Sequence, residues 1–195
     1  MYKLHRRRLK LNVRSVGLDL AGLETNETGF AYIEGRYALV RTVHKDNEIL
    51  ELVEYYRPDV VAVDAPLTMP IRGYERTIER KLRKMGFRVL PPLLGGMKRL
   101  TERGVRLKEL LESRGFETIE VHPRTSRILL GFDEGQASLL GFLKSYGIHC
   151  ERENLSVHEA DSLIAAFVGV LYITGLTRNV GGDDGYIVIP GTSTS

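Results

Sequence analysis

Cysteine is almost missing: Cys150 stands alone among 195 residues. An internal disulfide is thereby excluded, and the composition fits a reducing compartment. No Cys/His cluster has zinc-site spacing. Long hydrophobic runs are missing too, since the longest apolar stretch, Leu163 to Leu176, is too short to span a bilayer and is dotted with small residues. No apolar core follows the basic N-terminal residues, so no secretory signal is expected and the cytoplasm is the expected location. Glutamine is nearly absent while 27% of residues are charged, a balance that fits a heat-adapted source. There is no internal repeat and no low-complexity tract. The length suits one sizeable core, in a single domain with an insertion.

The net charge of +3 conceals an uneven distribution. Residues 1–14 hold six Lys/Arg and no acid, and residues 72–114 hold thirteen against five acids. The rest of the chain is acidic. A basic arm and a basic insertion on an acidic body point to a polyanionic partner, although such charge also coats ordinary solvated helices. We therefore expect a basic arm over residues 1–12 and a domain over 13–195, with a helical insertion at about 68–115.

Two apolar runs end on an acid. Val13 to Leu20 carries Asp19, and Val60 to Asp64 ends at a proline-marked loop. Val-rich runs without polar alternation read as strands buried on both faces. Gly29–Glu34 and Tyr37–His44 alternate as two further strands around a tight turn at Gly35-Arg36. Asp46-Asn47 opens a helix that Pro58 stops. The insertion reads as helices at Tyr74–Met85 and Met97–Ser113, separated by an irregular loop. Glu117–His122 alternates as a strand, and short helices follow at about 125–130 and 136–145. Ser156-Val-His-Glu159 is a capping box opening a helix over Val157–Ile173. Gly181–Gly185 reads as a turn, so Asp183 and Asp184 read as turn residues, and Tyr186–Ile189 as a last short strand. Three strands in a meander, then helix, strand, insertion and strand, give an α/β protein with a ribonuclease H-like mixed sheet of order 3-2-1-4-5 flanked by helices. That order places Asp19 and Asp64 at the ends of neighbouring strands, where ligands favour the crevice.

Carboxylates crowded into one crevice repel, and stay ionised at neutral pH only with cations between them. Mg2+ or Mn2+ suits oxygen-only ligands, and a pair of such ions roughly 4 Å apart serves phosphodiester hydrolysis. Asp19, Asp64 and Asp161 are the candidate ligands. Asp161 lies a turn inside its helix, and His158 is on the same face. Glu120, which shares a strand face with His122, is a fourth catalytic candidate. His122 and His158 stand as neighbours able to steer these acids. Each acid also has a duller reading: backbone bonding for Asp19, an Asx-type turn for Asp64, the positive helix end for Asp161. Glu159 reads as a cap.

Several motifs fall in a shared order: Val16-Gly-Leu-Asp-Leu-Ala-Gly22, Ala62-Val-Asp-Ala-Pro-Leu67, Glu79-Arg-Lys-Leu-Arg83, Glu120-Val-His-Pro123, His158-Glu-Ala-Asp-Ser-Leu-Ile-Ala-Ala166 and Asp184-Gly-Tyr-Ile-Val-Ile-Pro190. In this order the chain resembles domain-of-unknown-function family 429, described as predicted nucleases with a ribonuclease H fold, over about Val13 to Pro190. The resemblance implies that Asp19, Asp64 and Asp161 match the acids of the wider superfamily. It implies that Glu120 and His122 match a motif particular to the family. Where ribonuclease H-type sites usually place a glutamate, this chain has Asp64 or, less directly, Glu120.

The expected function is metal-dependent hydrolysis of DNA or RNA, with Arg72, Arg76, Arg80, Arg83, Lys84 and Arg88 holding the phosphate backbone. A non-catalytic nucleic-acid-binding module is one alternative. Another is an actin-like nucleotide-binding protein, since Gly17-x-Asp19-x-x-Gly22 resembles a first phosphate loop.

Overall fold

The computed structural model describes residues 12–132 and 134–191; the basic arm expected over 1–12 lies almost wholly outside the described residues. Six strands form one sheet of order β5-β4-β1-β2-β3-β6. The strands are β1 (Arg14–Asp19), β2 (Thr28–Glu34), β3 (Tyr37–Val43), β4 (Val60–Asp64), β5 (Thr118–Glu120) and β6 (His149–Cys150). β1, β2 and β3 run antiparallel in sequence, whereas β4 and β5 join parallel on the side of β1. The expected 3-2-1-4-5 order is present, with β6 added parallel to β3 at the outer edge. A two-residue strand is too short to show alternation, so β6 left no signal in the sequence.

Alternate residues of each strand feed different layers, as a two-residue repeat requires. Val16, Leu18, Phe30, Tyr32, Val61 and Val63 pack with α1 (Asp46–Tyr56) and α3 (Met97–Glu112) on one face. Ala31, Ile33, Ala38 and Val40 pack with α5 (Gln136–Ser145) and α6 (Val157–Ile173) on the other. Between these helices in sequence lie α2 (Thr77–Lys84), inside the insertion, and α4 (Pro123–Leu130).

α6 starts on the box read from the sequence. Ser156 Oγ accepts from the Glu159 N–H at 3.1 Å, and Glu159 Oε2 accepts from the Ser156 N–H at 2.8 Å. The helix then lies directly on the sheet at two glycines. A Cβ on Gly17 would stand 2.1 Å from the Ser162 carbonyl oxygen, and one on Gly29 would stand 1.9 Å from that of His158. Both obstacles are backbone, so only a shift of the helix would make room. Gly29 is the register partner of Asp19; its bare backbone lets the first turn of α6 settle beside that acid. Gly29→Ala is expected to cost about 3 kcal/mol in urea denaturation. Unchanged stability would show that α6 is not seated this way.

The C-terminal segment differs from expectation. The last strand is one arm of a separate hairpin, β7 (Thr177–Gly182) with β8 (Gly185–Pro190). Asp183 and Asp184 do form its turn, but Asp184 also reaches outward. Its Oδ2 accepts from the Thr77 N–H at 2.8 Å, and its carbonyl from Thr68 Oγ1 at 2.6 Å. α2 accordingly starts at Thr77 rather than Tyr74, capped by a residue 107 positions away. Among the described residues, no helix is long and apolar enough to cross a membrane.

Candidate active site

β1 and β4 bring Asp19 and Asp64 side by side as register partners in a parallel pair. The seated α6 adds His158 from its first turn and Asp161 from its second. His158 Nδ1 lies 2.6 Å from Asp19 Oδ2; a carboxylate only accepts, so the imidazole donates from Nδ1. Asp64 and Asp161 make no hydrogen bond or ion pair among the described residues.

The acids feel one another. Burial pushes the Asp64 carboxyl well above the carboxylate range, and Asp19, Asp161 and Glu120 push it further. Burial also raises Asp19, against the pull of His158. Burial and then Asp19 lift Asp161 to about 6, while Arg127 and His158 act to lower it. Asp19 and Asp161 thus raise Asp64, and Asp19 raises Asp161, as like charges near one another do.

The sign of the resulting linkage is definite. A folded-state pKa of about 6 for Asp161 lies above its ordinary value of 3.8. The folded protein therefore holds this proton more tightly, and ionised Asp161 weakens the fold above pH 6. In chelator at pH 7.5, Asp161→Asn should be more stable than wild type by on the order of 1–2 kcal/mol, allowing for partial exposure. The advantage should vanish as the pH falls towards 4. Urea denaturation at both pH values checks this, and an advantage independent of pH would contradict it.

Glu120, expected among the catalytic acids, is bound elsewhere. Its Oε2 accepts from the Leu67 N–H at 2.8 Å and from Arg76 Nη1 at 2.7 Å, and its Oε1 from Arg76 Nη2 at 2.6 Å. Arg76 also bonds Glu79 through Nε and Nη2, at 3.1 and 2.6 Å. Burial opposes the charge on Arg76, but the bonds to Glu120 and Glu79 outweigh it and raise its pKa. Arg76, 1% exposed, lines the cleft, but its guanidinium donors are taken up by Glu79, Thr68 and Glu120 and none is left for phosphate. Glu120 anchors the insertion to β5 instead of offering free oxygens to the cleft.

The other expected phosphate-holding residues divide. Arg83 is paired with Glu75, and Arg80 lies 4.0 Å from it. Arg72, Lys84 and Arg88 are exposed and without a partner among the described residues. Of these three, Arg88 borders the cleft beside Asp19 and Asp64. Arg124, which the sequence reading passed over, borders it too and is likewise unpaired among the described residues. Its one available signal was its place in the first turn of a helix opened by Pro123.

His122 lines the same cleft. It caps α4, where its Nδ1 accepts from the Thr125 N–H at 3.3 Å. Burial, with Arg124 adding to it, lowers its pKa to about 4. The ring is therefore neutral at pH 7, with its proton on Nε2 as a hydrogen-bond donor. Gly17 of the phosphate-loop-like pattern has another use, since it admits α6.

Solved structures of Thermus thermophilus RuvC are similar to this chain. One, in complex with a Holliday junction substrate, gives a TM-score of 0.52 at 14% identity over 84% of this chain and 96% of that chain. The fold is ribonuclease H-like. A second RuvC structure gives a TM-score of 0.50 at 15% identity, over 83% of this chain and 96% of that one. No protein-family model matches, and no curated protein does.

Among the described residues, no group of three or more His, Cys, Asp or Glu side chains stands where it could hold a metal ion. The donor set nonetheless fits a hard divalent cation in kind. It is oxygen-rich, it is negative, and Asp64 and Asp161 have no competing bond among the described residues.

Proposed function

We propose that this chain is a metal-dependent nuclease, hydrolysing phosphodiester bonds of DNA or RNA where Asp19, Asp64 and Asp161 meet. The observation that carries this reading is a set of acids from β1, β4 and α6 in which Asp19 and Asp161 push Asp64 up and Asp19 pushes Asp161 up, while the side chains of Asp64 and Asp161 have no hydrogen bond among the described residues. Asp19, Asp64 and Asp161 would hold Mg2+ or Mn2+, which when bound supplies the charge that lets the acids ionise and polarises the phosphodiester as a Lewis acid.

The chain's own groups divide the remaining work. His158 fixes the orientation of Asp19 through its Nδ1–H. His122 offers a neutral Nε2–H donor that does not titrate near pH 7. Arg88 and Arg124 offer charge-assisted donors for phosphate oxygens. A fold shared with RuvC, one of whose structures holds a Holliday junction substrate, supports the reading. The test is incubation with single-stranded, duplex and branched DNA and RNA in Mg2+ or Mn2+. Cleavage that appears with metal and disappears with chelator is expected. Cleavage that survives in chelator, or in Asp19→Asn, would overturn the assignment.

A further inference from the structure

The acids lie under a roof. The cleft, about 300 Å³, is lined by Asp19 and Asp64 and by the paired Arg76, Glu79 and Glu120. Val89, Leu90, Met97 and Leu100, all from the insertion between β4 and β5, line it too, with the buried Ile78 and Leu82 behind. The roof is tied down. Arg76 binds Glu120 on β5 and Glu79 on α2, and Asp184 of the hairpin caps α2. Apolar side chains lining one cleft with two carboxylates and with Arg88 and Arg124 present three chemistries at once: a surface for a base, cations for a phosphate and acids for a metal.

We propose, resting on the nuclease reading above, that this cleft takes one unpaired nucleotide, so that the substrate is single-stranded or unpaired nucleic acid and not continuous duplex. The volume is at the small end for ligand pockets and has room for a single nucleotide. A base held inside a duplex reaches such a pocket only by leaving its stack. Single strands are usually held without sequence preference in positively charged grooves where bases stack on aromatic side chains; here aliphatic side chains supply the apolar face. The insertion continues that pattern beyond the cleft: Ile71, Tyr74 and Leu94 are 65%, 59% and 55% exposed, and they alternate in sequence with unpaired Arg72 and Lys84.

The test has two arms. Fluorescence anisotropy in Ca2+ compares a labelled single strand, as DNA and as RNA, with the blunt DNA duplex of the same sequence. The single strand should bind at least ten times more tightly. Leu90→Ser, at a side chain 62% exposed and so harmless to folding, should weaken the single strand roughly tenfold and leave the duplex unchanged. In the second arm, cleavage in Mg2+ is mapped on a duplex with an unpaired arm, and cuts should fall in the arm or where it joins the duplex. Equal binding of duplex and single strand, insensitivity to Leu90→Ser, or cuts inside the paired region would overturn the proposal while leaving the nuclease reading intact. Absence of any metal-dependent cleavage would instead overturn the nuclease reading, and the binding arm would still decide what the cleft holds.

Discussion

Arg76→Met lowers the unfolding free energy by about 3–5 kcal/mol, the cost of leaving buried charges without their partner. Glu79 and Glu120 are each 5% exposed at the side chain, and Arg76 supplies the cation both face. Removing it strands two carboxylates in the interior, and the N–H donors of Arg76 and Leu67 are too few to replace it. Arg76→Lys should recover little, because a point-charge ammonium cannot reproduce the directed guanidinium bonds to Glu79 and Glu120. Adding Glu79→Gln and Glu120→Gln to Arg76→Met should restore much of the loss, since no charge is then left unpaired. The roof over Asp64 hangs on this cluster, so cleavage should fall together with stability. Urea denaturation reads the first effect; a loss below about 1 kcal/mol would show the cluster to be incidental.

Asp64→Asn should separate activity from stability in opposite directions. Cleavage should drop roughly 10²–10³-fold or more, the scale of losing one charge-stabilising group. Stability in chelator at pH 7.5 should rise. Burial, with Asp19, Asp161 and Glu120 beside it, raises the Asp64 pKa in the folded protein. The folded state therefore resists its ionisation, which penalises the fold above the ordinary carboxylate range and ceases to do so as the acid is protonated. Mg2+ should reverse the ranking, stabilising wild type more than Asp64→Asn in proportion to binding of the folded state. An Asp64→Asn protein that is both active and destabilised would mean that this acid is a structural residue.

The layout around these acids was readable because it rests on local signals. Buried apolar runs ending on Asp19 and Asp64, a capping box at Ser156 and a meander joined by Gly35-Arg36 each announce themselves within a few residues. Topology then forces the two strand ends together. What escaped was decided by distant contacts. A count of basic residues cannot tell that Arg76 points inward, or that Arg103 is buried with its donors on Asp46, Ala21 and His44. Both were counted in the basic insertion, and both staple it to the sheet instead of facing a polyanion. Glu120 looked like a site acid because it shares a strand face with His122 and falls in a motif of the resembled family, and only the position of Arg76 shows what it binds. Gly29 reads as an ordinary strand glycine until α6 is placed on it.

The central claim is that Asp19, Asp64 and Asp161 form one cation site, and diffraction from a crystal soaked in Mn2+, collected at the manganese edge, tests it most directly. The account predicts an anomalous peak in contact with the carboxylates of Asp19 and Asp64, on the side facing Asp161, and no such peak in Asp64→Asn. Manganese bound only elsewhere, or no peak at a concentration that supports cleavage, would contradict it.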